Sequence, residues 1–202
     1  MSQQIVTRQG AVCALAMCIA IGAMAVGTGC EKAERSSTSS SHLSQQAGLV
    51  PPDSRVSLKI LGFEGLQRLI AEKRGKVVVV DVWSTSCPPC VKSFPDLVAL
   101  QRKIGPERLA CISLSLDYEG TDPPERVAPP VRDFLTKQQA TFDNVLASEE
   151  AFAMLKKLGV SAPPAVFVYD RDGKLREKFT EAGAKEKPIY NRVGALVEQL
   201  VP

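Results

Sequence analysis

Residues 76–97 of the chain read KVVVVDVWSTSCPPCVKSFPDL. The run at 77–83 is apolar and mostly β-branched, which is typical of a strand buried on both faces of a parallel sheet. Residues 90–104 have the spacing of a helix, and Pro95 should kink that helix because proline removes a backbone donor. The segment therefore predicts a buried strand that leads through a short polar loop into a helix.

The sequence on both sides of this segment alternates between strand and helix patterns. Ser148 is the expected cap of one helix, Gly75 can end another, and Gly173 suits a hairpin turn that needs positive φ. We predict strands at 57–61, 109–116, 165–169 and 175–180, a short extended piece at 142–146, and helices at 62–74, 131–140, 148–158 and 188–200. A proline-rich insert, 117–130, follows the strand at 109–116. This order predicts an α/β domain at 56–202, with a central mixed sheet and helices on both faces.

The first thirty residues have a different character. Residues 11–29 form an uncharged apolar run that follows Arg8 and ends at Cys30. Such a run is typical of an export signal, and its length is also close to the roughly 20 residues that span a bilayer. We therefore predict a signal peptide or a lipoprotein or membrane anchor at 1–30. Each of these would place the folded domain on the extracytoplasmic face of a bacterial membrane, in the cell envelope.

The sequence leaves three alternatives for the processing of this segment. The residues before Cys30 resemble the lipobox of bacterial lipoproteins, in which that cysteine carries the lipid, although Gly27 stands where that motif usually has leucine. An uncleaved anchor and ordinary cleavage, for instance after Ala25, are the alternatives. The Ser-rich stretch at 31–55 has no periodic apolar face, so we predict a disordered linker there.

Composition limits the classes of partner. The net charge of +3 is too small to indicate a nucleic-acid partner. The single histidine, His42, lies in the predicted linker, so the folded domain offers no histidine as a base or metal ligand. We therefore expect contact with the membrane through the N-terminal segment and no nucleic-acid binding.

Six cysteines are present, and two of them have the spacing of a reactive pair. Cys13 and Cys18 lie in the apolar N-terminal run, and Cys111 lies in a predicted strand, where a free cysteine is usually inert packing. Cys87 and Cys90 are separated by two residues, so their sulfurs can meet across the first turn of the helix. Unpaired N–H groups at a helix start favour a thiolate, and the pKa of a thiol there typically shifts from about 8.5 to roughly 3.5–7.5. Cys87 is therefore the expected nucleophile and Cys90 the resolving thiol.

Two other uses of the pair fit the sequence less well. A structural zinc site needs four ligands, and only Cys111 remains as a further thiol in the domain. A purely structural disulfide would close a ring too short to constrain the unfolded chain much. Pro88 and Pro89 stiffen the turn and suit a helix start. We therefore expect a redox-active disulfide, with no metal and no further cofactor.

The run at 76–97 resembles the active-site region of the thioredoxin superfamily, and it is closest to the membrane-tethered branch related to TlpA and ResA. The resemblance extends over roughly 56–200. It implies a thioredoxin-like fold, disulfide exchange with protein thiols and disulfides as partners, and Trp83, Pro88, Pro89 and Pro163 as residues that contact substrate. The branch mostly consists of reductants, some of them in cytochrome c maturation, so the resemblance favours a reductant.

Individual residues match the family pattern. Trp83 stands where the family keeps a tryptophan against the active site, although simple core packing explains it nearly as well. Pro95 matches a helix-kinking proline, and Pro164 matches the proline that is cis in the family and faces the dithiol. Asp81 matches the buried acid that assists proton transfer at the resolving cysteine. A carboxyl in an apolar strand should have a raised pKa, which suits this role, unless Asp81 only pairs with a lysine or caps.

The chain also departs from the family pattern. Ser86 replaces a second tryptophan, and Ser93 stands where some relatives carry a glutamate. Pro163 precedes the cis-proline, where the family offers backbone groups to an extended substrate, but proline has no N–H. We hypothesise that this protein binds its substrate strand with one fewer main-chain hydrogen bond, so that recognition depends more on side chains.

Three alternative functions stand beside the oxidoreductase. A peroxiredoxin-like peroxidase would have proline and threonine where this chain has Val80 and Ser84. A copper-binding assembly factor of the Sco type needs two cysteines spaced by three residues and a domain histidine. A redox-switched binding module would use the same Cys87–Cys90 pair without catalysis. The upstream redox partner and the direction of electron flow cannot be read from the sequence.

Overall fold

The computed structural model describes residues 56–181 and 188–201. The predicted N-terminal segment, Cys30 and the linker at 31–55 lie outside the described residues. The strands are β1 (Lys59–Leu61), β2 (Val77–Trp83), β3 (Leu109–Ser115), β4 (Asp143–Ala147), β5 (Ala165–Tyr169) and β6 (Leu175–Thr180). The helices are α1 (Phe63–Ala71), α2 (Pro88–Ile104), α3 (Ala128–Gln138), α4 (Ala151–Leu158) and α5 (Ile189–Leu200), with a 3₁₀ turn at Pro124–Arg126. Within the described ranges, none of these helices has both the length and the apolar character needed to cross a bilayer.

The six strands form one sheet in the order β1-β4-β3-β2-β5-β6. The pairs β1–β4, β4–β3 and β3–β2 are parallel, whereas β2–β5 and β5–β6 are antiparallel. The predicted mixed sheet is therefore confirmed, and β2, which leads to the two cysteines, lies near its centre.

Helices cover both faces of the sheet, as predicted. Side chains alternate between the faces of a strand, so Val78, Val80 and Val82 of β2 join α1 and α4 in one core. The other face of β2 contributes Val77, Val79 and Trp83 to a core with α2, α3 and α5. Every residue of β2 is buried, which is why its sequence shows no alternation of polar and apolar residues.

The segment after β3 differs in detail from the prediction. The predicted extended piece at 142–146 is β4, which lies between β1 and β3 in the sheet. The predicted Ser148 cap is wrong, because α4 begins only at Ala151, whereas the Ser148 N–H donates to the Leu61 carbonyl at 3.0 Å and so continues the strand pairing. Instead Glu150 caps α4, since its side chain accepts a hydrogen bond from the Phe152 N–H at 3.2 Å.

The predicted hairpin between β5 and β6 is confirmed. Gly173 has a φ of 80°, a value that side-chain-bearing residues rarely adopt. The Asp170 carboxylate accepts from the backbone N–H groups of Asp172 at 3.0 Å and Lys174 at 2.9 Å. The Asp170 side chain thus adds to the two backbone hydrogen bonds that close the turn, Asp170 N–H to the Lys174 carbonyl and Gly173 N–H to the Asp170 carbonyl.

Candidate active site

Cys87 and Cys90 are joined by a disulfide bond with an S–S distance of 2.01 Å. Cys87 is the N-cap residue of α2, and it follows β2 through residues 84–86, which we call the active-site loop. Cys87 is partly exposed, whereas only 1% of Cys90 is accessible to solvent. Of the two bonded sulfurs, a large partner can therefore reach only that of Cys87.

The start of α2 directs one backbone donor at the outer sulfur. Pro88 and Pro89 occupy the first two helical positions, where the missing N–H groups leave no helical bond unmade. The Cys90 N–H is then the first backbone donor of the helix, and it lies 3.4 Å from Cys87 Sγ. Both prolines are exposed beside Cys87, so their surfaces are available to a docked substrate.

Asp117 holds the active-site loop from the neighbouring strand. It lies two residues after the end of β3, and its Oδ1 atom accepts from the Thr85 N–H at 2.9 Å and from the Ser84 hydroxyl at 3.2 Å. The Thr85 hydroxyl donates to the same oxygen. The other carboxylate oxygen accepts from the Ser115 hydroxyl at 2.5 Å. The loop before Cys87 is therefore fastened to β3 through one carboxylate.

Hydrogen bonds within the loop extend this network to the nucleophile. The Ser84 and Ser86 hydroxyl oxygens lie 2.8 Å apart, and the Ser86 N–H donates to the Ser84 hydroxyl at 3.2 Å. The Cys87 N–H donates to the Ser84 carbonyl at 3.1 Å. The backbone of Cys87 is thus positioned by Ser84, which in turn contacts Asp117.

Trp83 lies beneath the loop with no exposed surface. Its ring centroid is 5.0 Å from that of Phe94 and 4.6 Å from that of Phe134. These contacts show the core packing that was the alternative explanation for this tryptophan. Its contact with substrate stays a prediction.

Asp81 is the buried acid of β2, and it lies on the face of the sheet that α2 and α5 cover. Burial raises the pKa of the Asp81 carboxyl from 3.8 to about 7, and the nearby Tyr190 hydroxyl offsets part of this rise. The described ion pairs do not include Asp81, so within residues 56–181 and 188–201 the alternative of a lysine partner finds no support. A carboxyl with this pKa can take up and release a proton near neutral pH.

Residues beside Asp81 on β3 carry further polar atoms on the same face. Ser113 lies opposite Asp81 in the sheet register, and its hydroxyl donates to the Asn144 side chain at 2.8 Å. Asn144 is oriented by three backbone carbonyls that accept from its amide nitrogen. Cys111 is a free, buried thiol, and burial together with the Asp81 charge raises its pKa. Cys111 is therefore a neutral packing residue, as predicted.

The peptide bond between Pro163 and Pro164 is cis, as the family resemblance predicted. Pro164 is buried and Pro163 is partly exposed. Ala165, the next residue, lies opposite Val82 near the end of β2. Both prolines therefore lie at the end of β2 from which the active-site loop begins, and their catalytic and substrate-binding roles stay predictions.

Sequence reasoning missed Asp117 and Tyr190. Asp117 directly follows a buried strand, and parallel neighbours in a sheet end at the same edge, so its place beside the active-site loop could have been inferred from the topology. Tyr190 lies in the last helix, and no spacing in the sequence connects it with Asp81.

Comparison with known proteins adds the family. The Redoxin family model matches residues 65–193, more than half of the chain. The chain belongs to the Redoxin family. Together with the similar proteins described next, this match confirms the expected membership of the thioredoxin superfamily and the predicted class of thiol–disulfide oxidoreductases.

Similar proteins agree with this assignment. The thiol-disulfide oxidoreductase ResA of Bacillus thuringiensis subsp. konkukian (strain 97-27) is 27% identical over 128 residues, which are 63% of this chain and 68% of that protein. The fold resembles that of a thiol-disulfide isomerase from Corynebacterium glutamicum, with a TM-score of 0.53, 24% identity and coverage of 74% of this chain and 97% of that one. A thiol:disulfide interchange protein of Chlorobium tepidum TLS has a TM-score of 0.51, 18% identity and coverage of 65% and 84%. The predicted thioredoxin-like fold is confirmed.

Proposed function

We propose that this chain exchanges disulfides with protein substrates, with Cys87 as nucleophile and Cys90 as resolving thiol. The observation that carries this proposal is the unequal exposure of the two bonded cysteines, of which Cys87 is partly exposed and Cys90 only 1% exposed. A substrate must meet the outer sulfur first, and the inner sulfur can then act only on the bond that Cys87 has formed. The Cys87–Cys90 pair is the only redox group that this chemistry requires.

The reductive cycle follows from these positions. In the dithiol form, the Cys87 thiolate attacks a substrate disulfide, which releases one substrate sulfur and leaves a mixed disulfide on Cys87. Cys90 then loses its proton to Asp81 and attacks Cys87 Sγ, which releases the second substrate sulfur as a thiolate. Two electrons pass to the substrate, and the Cys87–Cys90 disulfide of the present structure is the product.

We infer further that the protein works outside the cytoplasm as a reductant. The signal-like run at 11–29, Cys30 as a lipid anchor and the Ser-rich linker at 31–55 support tethering to the outer face of a membrane. The membrane-tethered branch that the active-site region resembles consists mostly of reductants. Some members of that branch act in cytochrome c maturation, so we include the proteins of that pathway among the proposed substrates.

Insulin reduction by dithiothreitol tests the catalytic proposal on the full-length protein. The wild type should accelerate the reduction, Cys87→Ser should abolish the acceleration, and the control variant Cys111→Ala should retain it. Cys90→Ser should instead accumulate a mixed disulfide with insulin, visible on a non-reducing gel. If the wild type does not accelerate the reduction and Cys90→Ser does not form the mixed disulfide, a redox-switched binding module is favoured.

The direction of electron flow needs a separate measurement. Equilibration of the Cys87–Cys90 couple with glutathione buffers gives its reduction potential. A potential near that of thioredoxin, about −270 mV, supports a reductant, whereas a value near about −120 mV indicates an oxidant.

A further inference from the structure

The active-site loop directs its hydrogen-bond donors away from the nucleophile. The Thr85 N–H, the Thr85 hydroxyl and the Ser84 hydroxyl all donate to one carboxylate oxygen of Asp117. Because the Ser84 proton is given to Asp117, Ser86 is the donor in the pair of hydroxyls that lie 2.8 Å apart. The Ser86 N–H also donates to the Ser84 hydroxyl, at 3.2 Å. None of these five donors is therefore directed at the Cys87 sulfur.

The start of α2 offers the same sulfur a single donor. Cys87 is the N-cap residue, a position next to which a helix normally presents its first free N–H groups. Pro88 and Pro89 have no N–H to present. Within residues 56–181 and 188–201, the Cys90 N–H is thus the one group with hydrogen-bond geometry to Cys87 Sγ, at 3.4 Å. The sulfur receives one long contact although five donors lie in the loop just before it.

The number of donors at the nucleophile affects the direction of electron flow. Hydrogen bonds to a thiolate stabilise the reduced form of a dithiol couple, and strong oxidants of this class owe their potential to a stabilised reduced form. Where donors are withheld, the thiolate is less stable and the equilibrium favours the disulfide. A couple of that kind passes its electrons to the substrate. The arrangement of the active-site loop therefore has the sign expected for a reductant.

Asp117 is the group that maintains this arrangement. Its Oδ2 atom accepts from the Ser115 hydroxyl at 2.5 Å, and its N–H donates to the same hydroxyl at 3.3 Å. These contacts orient the carboxylate from the end of β3, so that Oδ1 faces the active-site loop. A side chain without an acceptor at this position would leave the donors of Ser84 and Thr85 without a partner. These residues lie only three and two positions before Cys87, whose thiolate is the next negative group along the chain.

We propose that Asp117 is a positioning residue that makes the Cys87–Cys90 couple more reducing, because it withholds the donors of the active-site loop from the Cys87 thiolate. Asp117 itself gains no proton and no electron in the exchange. The bonds that form and break remain those of the cycle described above. The inference rests on the proposed function, in which Cys87 is the attacking thiolate, and it assigns a residue outside the dithiol to the direction of electron flow.

The test combines two measurements on the full-length protein, its equilibrium with glutathione buffers and the pH dependence of alkylation by iodoacetamide in the reduced state. Cys90 and Cys111 are each 1% exposed, so rapid alkylation within the domain reports Cys87. Asp117→Ala should shift the equilibrium about tenfold toward the dithiol, which is a potential less negative by about 30 mV. The pH at which alkylation is half-maximal should fall by about one unit.

Two matched variants separate the donors from the charge of Asp117. Asp117→Asn keeps an acceptor oxygen for the same donors, so its equilibrium should stay within about threefold of the wild type. Asp122→Ala removes an exposed acid from the same insert and should match the wild type in both measurements. If Asp117→Asn changes as much as Asp117→Ala, the charge alone sets the potential and the proposal is wrong.

Ser84→Ala is a further variant, and it remains informative if Asp117→Ala does not fold. It frees the Ser86 hydroxyl and N–H from their present acceptor, so it should move both quantities in the same direction, the equilibrium by about threefold or more. A folded Asp117→Ala or Ser84→Ala with wild-type values overturns the proposal. So does a shifted equilibrium with an unchanged alkylation profile, which would indicate only a loosened loop. If the wild type does not reduce insulin, the proposed function fails, whereas an active wild type with unresponsive variants refutes the role of Asp117 alone.

Discussion

The Oδ1 atom of Asp117 lies 2.9 Å from the backbone nitrogen of Thr85 and accepts its hydrogen bond. These two residues are far apart in sequence, and they belong to segments that follow neighbouring parallel strands. The contact fastens the loop before Cys87 to the start of the 117–130 insert. The position of the nucleophile therefore depends on a carboxylate outside its own strand–helix unit.

Replacement of Asp117 should loosen this loop. Hydrogen bonds to charged groups contribute about 1.5–3 kcal/mol each when buried, and these are partly exposed, so Asp117→Ala should lower the free energy of unfolding by about 1–3 kcal/mol. Asp122→Ala, an exposed acid in the same insert, is the control. Urea unfolding of the disulfide form measures the change. If the two variants are equally stable, and if reduced Cys87 in Asp117→Ala is alkylated at the wild-type rate, then the loop is positioned without Asp117.

Asp81→Asn should make the protein more stable at neutral and alkaline pH. The Asp81 pKa rises from 3.8 to about 7 on folding, so wild-type stability should fall as pH increases from about 4 to 7 and then level off. At about 1.4 kcal/mol per pKa unit, the cost of the buried charge reaches roughly 4 kcal/mol above pH 7. Urea unfolding at pH 4, 6 and 8 should show an advantage of the Asp81→Asn variant that grows with pH. A constant difference at all three values would mean that Asp81 does not titrate on unfolding.

Pro89→Ala should make the dithiol couple more oxidising. Pro89 is the second residue of α2, and an N–H at this position can donate to the side chain of the N-cap residue, here Cys87. An added donor stabilises the reduced thiolate, and a stabilisation of about 1.4 kcal/mol corresponds to a potential less negative by about 30 mV. Glutathione equilibration measures the potential. Pro129→Ala, at the second position of α3, should leave it unchanged, and a Pro89→Ala potential equal to that of this control contradicts the expectation.

Pro163→Thr should speed reactions with protein disulfides. The substitution supplies a backbone N–H beside the active-site loop, and an extended substrate segment can bond to such a group. Ala162→Thr introduces the same side chain at the exposed neighbouring position, where an N–H already exists. Rates with insulin should rise in Pro163→Thr alone, whereas rates with a small disulfide such as oxidised glutathione should stay the same. Unchanged insulin rates would remove the hypothesis that Pro163 reduces main-chain recognition.

The sequence predicts elements whose character is local. The β2 run is predicted with its observed limits, 77–83, because five valines in seven residues favour a fully buried strand whatever surrounds them. The strand β4 is only a short extended piece in the prediction, since Asn144 is out of place in a buried strand until its amide finds carbonyls from Ser57, Ala140 and Phe142. Such partners depend on the folded arrangement of the chain, so pattern reasoning cannot supply them.

The residues of the candidate site also fall into two groups, those that can be recognised in the sequence and those that only the fold identifies. Cys87 and Cys90 stand out because their type and spacing indicate the chemistry by themselves, and Asp81 stands out through the family resemblance and its place in an apolar strand. Asp117 and Tyr190 are ordinary surface-type residues in the sequence, and they gain significance only from the sheet order and from the packing of α5 against the sheet. The Ser148 cap is wrong for a related reason, since Ser148 still belongs to the strand pairing with Leu61 and the helix begins only at Ala151.

The burial of the Cys111 sulfur determines which disulfide forms when the domain is oxidised repeatedly. Within residues 56–181 and 188–201 three cysteines are present, and the third is walled off in the interior and held in its neutral form. A thiol reagent applied to the folded, reduced domain should label two sulfurs, and the third only after denaturation. Cys111 is therefore unable to form a wrong disulfide inside the described domain, and oxidation of the domain gives the Cys87–Cys90 bond each time.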